Sequence, residues 1–549
     1  MLKHMTVAYI AVCVILWIMP LGASEEVYSR ADVLRGSITP ERAWWDVAHY
    51  HLDIKVDPNA RTIAGTNTIE YRVLKPGAVM QIDLQPPMNI TRVTQDDKAL
   101  AFRRDGNVFY VSLQKEQETG ALNGVVVSFG GVPKVSKSPP WDGGLTWTKD
   151  ENGKDLIASA NQGDGASLWW PCKDHPADEP EHMLMSVNVP EHLTDVSNGR
   201  LAGIDKLPDG TRTFHWVVSN PINHYGVNIN VGDYVRFSEV YDGEKGPLDC
   251  DYWVLPYNLE KARHQFKDVP RMLEAFEHWF GPYPFYEDSY KLVEVPYPGM
   301  EHQSSVTYGN GYANGFKGKD ESDTGWGLKF DFIIIHESGH EWFANNISNA
   351  DVAYMWIHEA FIAYSENLFV EYHYGQEAAT EYVLGKRRRI SNNRPIEGTV
   401  GVNRSGSGDM YTKGANMLHT LRQWVGNDQT WRSILRGLNK TFYHQTVTGT
   451  QVESYIAEKT GLNLDAFFDQ YVRDIRIPVL EYTVEAEGLR YRWAQTVKGF
   501  AMPVAASLNG ETITLNPTRS WKTFKTEKPV EQFSLDPDYY VTSFNLTGK

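Results

Sequence analysis

The sequence predicts a multidomain α+β protein: a β-rich N-terminal domain, an α-rich central domain and a small C-terminal β-sandwich. Three patterns carry this reading. From about residue 45 to 245, apolar and polar residues alternate and no helical period competes. From about 259 to 474, apolar residues recur at spacings of three and four. After Ile477-Pro478 the alternation returns. The 549 residues are enough for two to four domains and a sizeable core. The bounds read from these shifts are 1–23 for a leader, then 24–246, 247–476 and 477–549.

The leader has a weakly basic start at Lys3 and His4, an apolar run from Met5 to Met19, and small residues at Pro20-Leu21-Gly22-Ala23. This is the pattern of a secretory signal. An exported protein, secreted or periplasmic, is expected, with an uncleaved anchor as the alternative. The run is short for a bilayer span. No other segment looks membrane-spanning, so no stable span is expected after cleavage. Cys13 falls in the leader. Cys172 and Cys250 are then left, and one disulfide between them is allowed but not implied. The formal charge of −16, with no basic cluster to offset it, argues against a nucleic-acid partner.

In the N-terminal domain Tyr50, Leu52, Ile54 and Val56 alternate with polar positions, Ile63-Ala64-Gly65 marks a turn, and Ile69, Tyr71 and Val73 alternate again. Val108, Tyr110 and Ser112-Leu113 do so less cleanly. The central domain opens with a helix from Leu259 to Phe280, whose face is Phe266, Val269, Met272, Leu273, Phe276 and Trp279. Gly281-Pro282-Tyr283-Pro284 stops it. A strand from Tyr290 to Val295 follows. A helix is expected from about Thr324 to Asn345, capped by Asp323 or Thr324. A second runs through Glu359 to Tyr374, ended by Gly375. Further helices are expected near Ala378–Ser391, Tyr411–Val425, Thr430–Leu438, Thr450–Lys459 and Leu464–Asp474. In the last domain Tyr482, Val484, Leu489, Tyr491 and Trp493 alternate around Glu487-Gly488. Asn509-Gly510 is a hairpin turn between Val504–Leu508 and Glu511–Leu515.

The chemistry concentrates at His336-Glu337-Ser338-Gly339-His340, with Glu359 eighteen residues beyond. Histidines at i and i+4 lie one turn apart on one helix face and reach a single Zn²⁺. Glu359 completes a His₂Glu set with an open fourth position, the mark of a catalytic zinc. Glu337 stands beside the ligands without being one, where a general base for water belongs. Phe332-Ile333-Ile334-Ile335 before the motif and Trp342-Phe343 after it place these groups in a buried helix. The competing reading is a helix of satisfied core histidines with a surface carboxylate.

Other segments are weak alone. They are Pro298-Gly299-Met300-Glu301-His302-Gln303, Tyr411-Thr412-Lys413-Gly414, and Gln162-Gly163-Asp164 ahead of Trp169-Trp170-Pro171-Cys172. With the zinc motif, in this order, they resemble the aminopeptidase N family of gluzincins (H-E-x-x-H-x₁₈-E). Trp356-Ile357-His358-Glu359-Ala360-Phe361 is similar to the family's W-L-N-E-G-F, Met300-Glu301 to its G-x-M-E-N, and Tyr411 to the tyrosine of its Y-x-K-G. The chain looks like a short form lacking the family's C-terminal helical domain. The resemblance implies a thermolysin-like central domain, one Zn²⁺ per chain held by His336, His340 and Glu359, and peptide substrates with a free N-terminus. It assigns the substrate amine to Glu301, assisted by Gln162 and Asp164. It assigns backbone contacts to the Gly299-Met300 loop and the developing oxyanion to Tyr411. Glu366, seven residues after Glu359, is placed to accept from a ligand imidazole, as family relatives suggest.

Several positions depart from the family. His302 replaces Asn, Asp164 replaces Glu, and Glu341 stands where Gln is common. Trp169 and Trp170 either line the first side-chain pocket or pack in the core. A thermolysin-type endopeptidase, which needs no amine clamp, is the main alternative. A bifunctional epoxide hydrolase/aminopeptidase and a non-catalytic binding protein are the others.

Overall fold

The N-terminal domain is built on the strand Trp45–Asp57, the spine of an eight-stranded sheet. It pairs antiparallel with Thr62–Val73 and parallel with His182–Pro190. Tyr50, Leu52, Ile54 and Val56 are buried while Asp53 and Lys55 are exposed, as the two-residue side-chain period requires. This computed structural model describes residues 27–485 and 488–548; the leader read at 1–23, and Glu487 of the expected turn, lie outside the described residues. Trp169 and Trp170 are fully buried. The indole of Trp169 donates to Asn161 Oδ1 at 3.0 Å, and Trp170 packs edge-on to Tyr50. Of the two readings for this pair, core packing is the one observed. Beside the large sheet, a four-stranded sheet contains Asp155–Ala160, which ends just before Gln162.

A five-stranded sheet leads into the catalytic region. Its order is Val235–Gly243, Gly246–Val254, Tyr290–Glu294, Val306–Tyr308, Gly299–Met300. The sheet therefore runs across residue 246, where the sequence pattern changes. Gly299–Met300 forms its edge, so one side of that backbone stays open.

The single helix expected over 259–280 is two, α1 (Leu259–Gln265) and α2 (Asp268–Phe280). Pro270 explains the break: it donates no N–H, and its ring clashes with the carbonyl four residues back, at Phe266. The motif helix α3 is Phe332–Gly339, shorter than expected at both ends. Gly325, with φ +91°, halts any helix before it. The cap is Asp331 rather than Asp323 or Thr324: its Oδ1 accepts from the backbone N–H of Ile333 at 3.1 Å and of Ile334 at 3.4 Å. Beyond Gly339 the chain widens, with Asn345 N donating to His340 O and Asn346 N to Glu341 O, a five-residue step rather than an α-helical one.

The helix α4 (Trp356–Tyr374) is buried from Trp356 through Val370 and ends at Gly375, φ +94°. It packs against α3, α5 (Gln376–Arg387) and α6 (Thr412–Val425). Gly414 permits the closest approach: a Cβ there would come within 2.4 Å of Ala360 Cβ. Helices at Asp428–Thr441, Gly449–Thr460 and Asp465–Val472 complete the domain. Four-stranded and three-stranded sheets form the C-terminal sandwich. Its Asn509-Gly510 hairpin has φ of +50° and +84°, a type I′ turn. Cys172 and Cys250 are buried and unpaired. Among the described residues no helix is long and apolar enough to cross a membrane.

Asp331 also accepts from Tyr308 Oη at 2.7 Å, Asn310 Nδ2 at 2.8 Å and Gln265 Nε2 at 2.9 Å. Asp331→Ala strips a cap and leaves several buried donors unpaired, so urea unfolding should show a loss of about 2–4 kcal/mol. A loss under about 0.5 kcal/mol would mean that the cap contributes nothing to the helix.

Candidate active site

His336 lies on α3 and His340 just past its end; Glu359 lies in the first turn of α4. His336 Nε2 is 3.8 Å and His340 Nε2 3.6 Å from Glu359 Oε2. All three donor atoms lie within 4.8 Å of one another. Tetrahedral zinc with bonds near 2.0–2.1 Å sets its ligands roughly 3.3 Å apart, so the cluster needs only slight closure. Two further observations fit a cation. Glu359 Oε2 is buried with no hydrogen-bond partner, a costly state for a carboxylate oxygen. Both imidazoles are also committed at the other nitrogen. His340 Nδ1–H donates to Phe343 O at 3.0 Å, and His336 Nδ1–H to Glu366 Oε1 at 2.9 Å. The Nε2 lone pairs are thereby left to face Glu359.

Glu366 is fully buried and also accepts from Tyr382 Oη at 2.6 Å and from Lys386 Nζ. Burial opposes its charge, but Lys386 and His336 hold it below the usual carboxylate range. It stays ionised and fixes the His336 ring. Tyr382 and Lys386 belong to no motif in the sequence; only the α5 periodicity places them on the inner face.

Glu337 is buried beside the cluster. Burial raises its pKa well above normal, and Glu301, Glu359 and Glu366 push it the same way. Burial likewise pushes Glu301 up to about 7. Gln162 links the two ends of the site: its Nε2 donates to Glu301 Oε1 at 2.6 Å and to Glu359 Oε1 at 3.3 Å. Tyr411 precedes α6, its ring stacked on His336 with centroids 6.0 Å apart and its hydroxyl in reach of Glu359. The Gly299–Met300 edge passes so close to α3 that a Cβ on Gly299 would fall 2.6 Å from Ile333 Cγ2. These residues line one cleft of about 400 Å³.

Asp164 does not join them. The turn at Gly163 and Gly165, with φ of +79° and +94°, directs its side chain outward. There it pairs with Lys134 and is about half exposed. His302 sits behind the cleft: it is fully buried, Nε2 has no partner, and burial pushes its pKa down to about 3. It is a neutral packing group. Glu341 has a clear structural task. Its Oε1 accepts from Ser304 N at 2.8 Å, while Asn345 Nδ2 donates to Glu301 O at 2.9 Å. The tail of α3 thus holds the Glu301 loop at two points. Tyr225, which no sequence signal marks, buries its hydroxyl beside Glu301 and Glu359. Burial, then those carboxylates, raise its pKa far above normal.

A His₂Glu cluster with a flanking glutamate, set between a sheet edge and two packed helices, defines a gluzincin metallohydrolase. Residues 264–471 match the peptidase family M1 domain, and the chain is similar there to that family. It is 24% identical to mouse aminopeptidase B over 471 residues, which cover 78% of this chain and 68% of that protein. It is 22% identical to a leucyl aminopeptidase of Saccharolobus solfataricus, covering 63% of this chain and 45% of that one. It spans about a third of mouse endoplasmic reticulum aminopeptidase 1, at 23% identity over 53% of this chain. The crystal structure of an M1 zinc metallopeptidase from Deinococcus radiodurans shares the fold with a TM-score of 0.66 at 21% identity, covering 79% of this chain and 95% of that one.

Glu366→Gln keeps the shape of the side chain but removes the charge that orients His336. Chelator competition should show zinc affinity reduced by about 10–100-fold with the fold intact by circular dichroism. Unchanged affinity would exclude Glu366 from the support of the ligand.

Proposed function

We propose that this protein is a zinc-dependent aminopeptidase that releases residues from the free N-terminus of peptides, with one Zn²⁺ per chain. The carrying observation is the placement of Glu301. Its buried carboxylate is joined through Gln162 to the ligand Glu359. An ammonium group seated there puts the first peptide bond over the His336–His340–Glu359 cluster. In an endopeptidase the substrate chain would have to continue through this place, and Glu301 and Gln162 close it. The relatives named aminopeptidase B and leucyl aminopeptidase support the reading. So does a mutant of the Deinococcus enzyme solved with a Tyr-Ser-Ala substrate. The leader at 1–23 supports export to the periplasm or outside the cell.

His336, His340 and Glu359 would hold Zn²⁺, which would supply an acidified water and polarise the scissile carbonyl. Glu337 takes the proton of the attacking water. A carboxylate with a raised pKa holds that proton long enough to pass it to the leaving amine. Tyr411 donates a hydrogen bond to the carbonyl oxygen as it gains negative charge. Glu301 and Gln162 hold the ammonium, which fixes the distance from chain end to scissile bond. The open backbone of Gly299–Met300 pairs with the extended substrate as an added strand.

Tyr411→Phe should lower kcat by about 10²–10³ with zinc content unchanged. Glu337→Gln should lower it at least as far. N-acetylation of a test peptide should abolish cleavage; equal cleavage of blocked and free peptides would falsify the aminopeptidase assignment in favour of an endopeptidase.

The pH response follows from Glu301. It binds the amine only when ionised, and burial pushes it up to about 7. A bound dication pulls that value down. The acid limb of kcat/KM should therefore lie below about 7, with activity lost as pH falls through it. Glu301→Gln should weaken binding and flatten that limb; a limb of unchanged shape in the variant would assign it to another group.

A further inference from the structure

Trp141 is 69% exposed, far more than is usual for an indole. It nevertheless borders the catalytic cleft, together with Pro140, Gln162 and Met300. Its loop is held in place rather than loose. The Asp142 carboxylate accepts from Ser136 Oγ and from the backbone N–H groups of Lys137 at 2.7 Å and Ser138 at 3.0 Å. Lys134 Nζ donates both to the Asp142 carbonyl and to the Asp164 carboxylate. A Cβ on Gly143 would come within 3.0 Å of Asp164 Cβ, so the loop lies directly against the Gln162–Asp164 segment. Gln162 is the residue that bonds to Glu301. The loop that carries the indole therefore lies beside the Gln162 end of the cleft, whose lining includes Pro140, Trp141 and Met300.

We infer that Trp141 forms the wall of the pocket for the first side chain and selects peptides whose N-terminal residue is large and apolar or aromatic. Asp164 and Lys134 are its positioning residues, which gives Asp164 a task without any contact to the substrate amine. The inference rests on the aminopeptidase reading above. An exposed indole lowers its own hydration cost when a substrate ring or branched chain covers it. A methyl side chain covers little of it.

The test uses the full-length zinc-loaded protein and arylamides of Phe, Leu and Ala. Trp141→Ala should reduce the ratio of kcat/KM for Phe over Ala about tenfold, mainly through KM. Trp141→Phe should restore most of the ratio. Asp164→Asn should move the ratio in the same direction as Trp141→Ala, with kcat nearly unchanged. Equal losses for Phe and Ala, or a wild-type preference for Ala, would overturn the inference.

Titration calorimetry with free L-phenylalanine and with glycine separates this inference from its premise, because it needs no turnover. If the wild type cleaves none of the arylamides, the aminopeptidase reading fails. The calorimetry still decides the role of Trp141: selective loss of L-phenylalanine affinity in Trp141→Ala supports it, and unchanged affinity refutes it.

Discussion

The arrangement depends on a concentration of buried negative charge. Glu301, Glu337 and Glu359 are each buried and line one cleft. Burial and repulsion from neighbouring carboxylates raise Glu337 and Glu359 well above their usual pKa, and burial raises Glu301 to about 7. Three such carboxylates cannot all ionise without compensation. On the proposed function, two cations would meet the need: a dication at the two imidazoles and Glu359, and the substrate ammonium at Glu301. The acidic cleft is costly when empty of cations and favourable when both are present. That difference favours a substrate with a free amino terminus over one whose chain continues.

The cluster holds its shape because neighbouring elements have little freedom. α4 is buried along most of its length, so Glu359 cannot swing out without uncovering apolar surface. Gly414 lets α6 pack onto Ala360, which brings Tyr411 to the His336 ring. Asp331 fixes where α3 begins and thereby the direction in which His336 points. The network of Glu366, Tyr382 and Lys386 sets the ring orientation from behind. Packing, capping and ion pairing all serve one geometry, which is the usual way an active site limits reorganisation.

Much of this was legible in the sequence, for identifiable reasons. Histidine spacing on a helix is a local property, so His336, His340 and their relation to Glu337 follow from periodicity alone. The Asn509-Gly510 hairpin and the Gly375 stop are equally local. Tertiary placement is not. The resemblance places Asp164 in the amine site, but the positive-φ glycines on either side turn it outward, and no local pattern announces where Lys134 will be. Asp323 and Thr324 have cap chemistry, yet α3 begins after Asp331. The cap that forms is the one whose carboxylate also meets Tyr308, Asn310 and Gln265, partners distant in sequence. Trp141 borders the cleft and Tyr225 comes up beside Glu301 from separate segments with no motif around them. Trp169 and Trp170 formed a more conspicuous pair, yet they went to the core.

If Glu301 holds the substrate amine as proposed, the link between the motif helix and the Glu301 loop would explain how one residue is measured. An exopeptidase needs a fixed span between the group that seizes the terminus and the group that activates water. Here both are attached to the same stretch of chain. Glu337 lies on α3, and the tail of α3 holds the Glu301 loop through Glu341 to Ser304 N and through Asn345 to Glu301 O. Burial pushes Glu341 up to about 8, so a Gln side chain, neutral and of the same length, could keep the acceptor role. The span is therefore set by hydrogen bonds between the Glu341 and Asn345 side chains and the main chain of the loop, in a buried interior where each is strong and its loss is costly. A side-chain contact across the open cleft would let that span vary with the substrate. A backbone-anchored loop keeps it constant while the side-chain pocket varies independently.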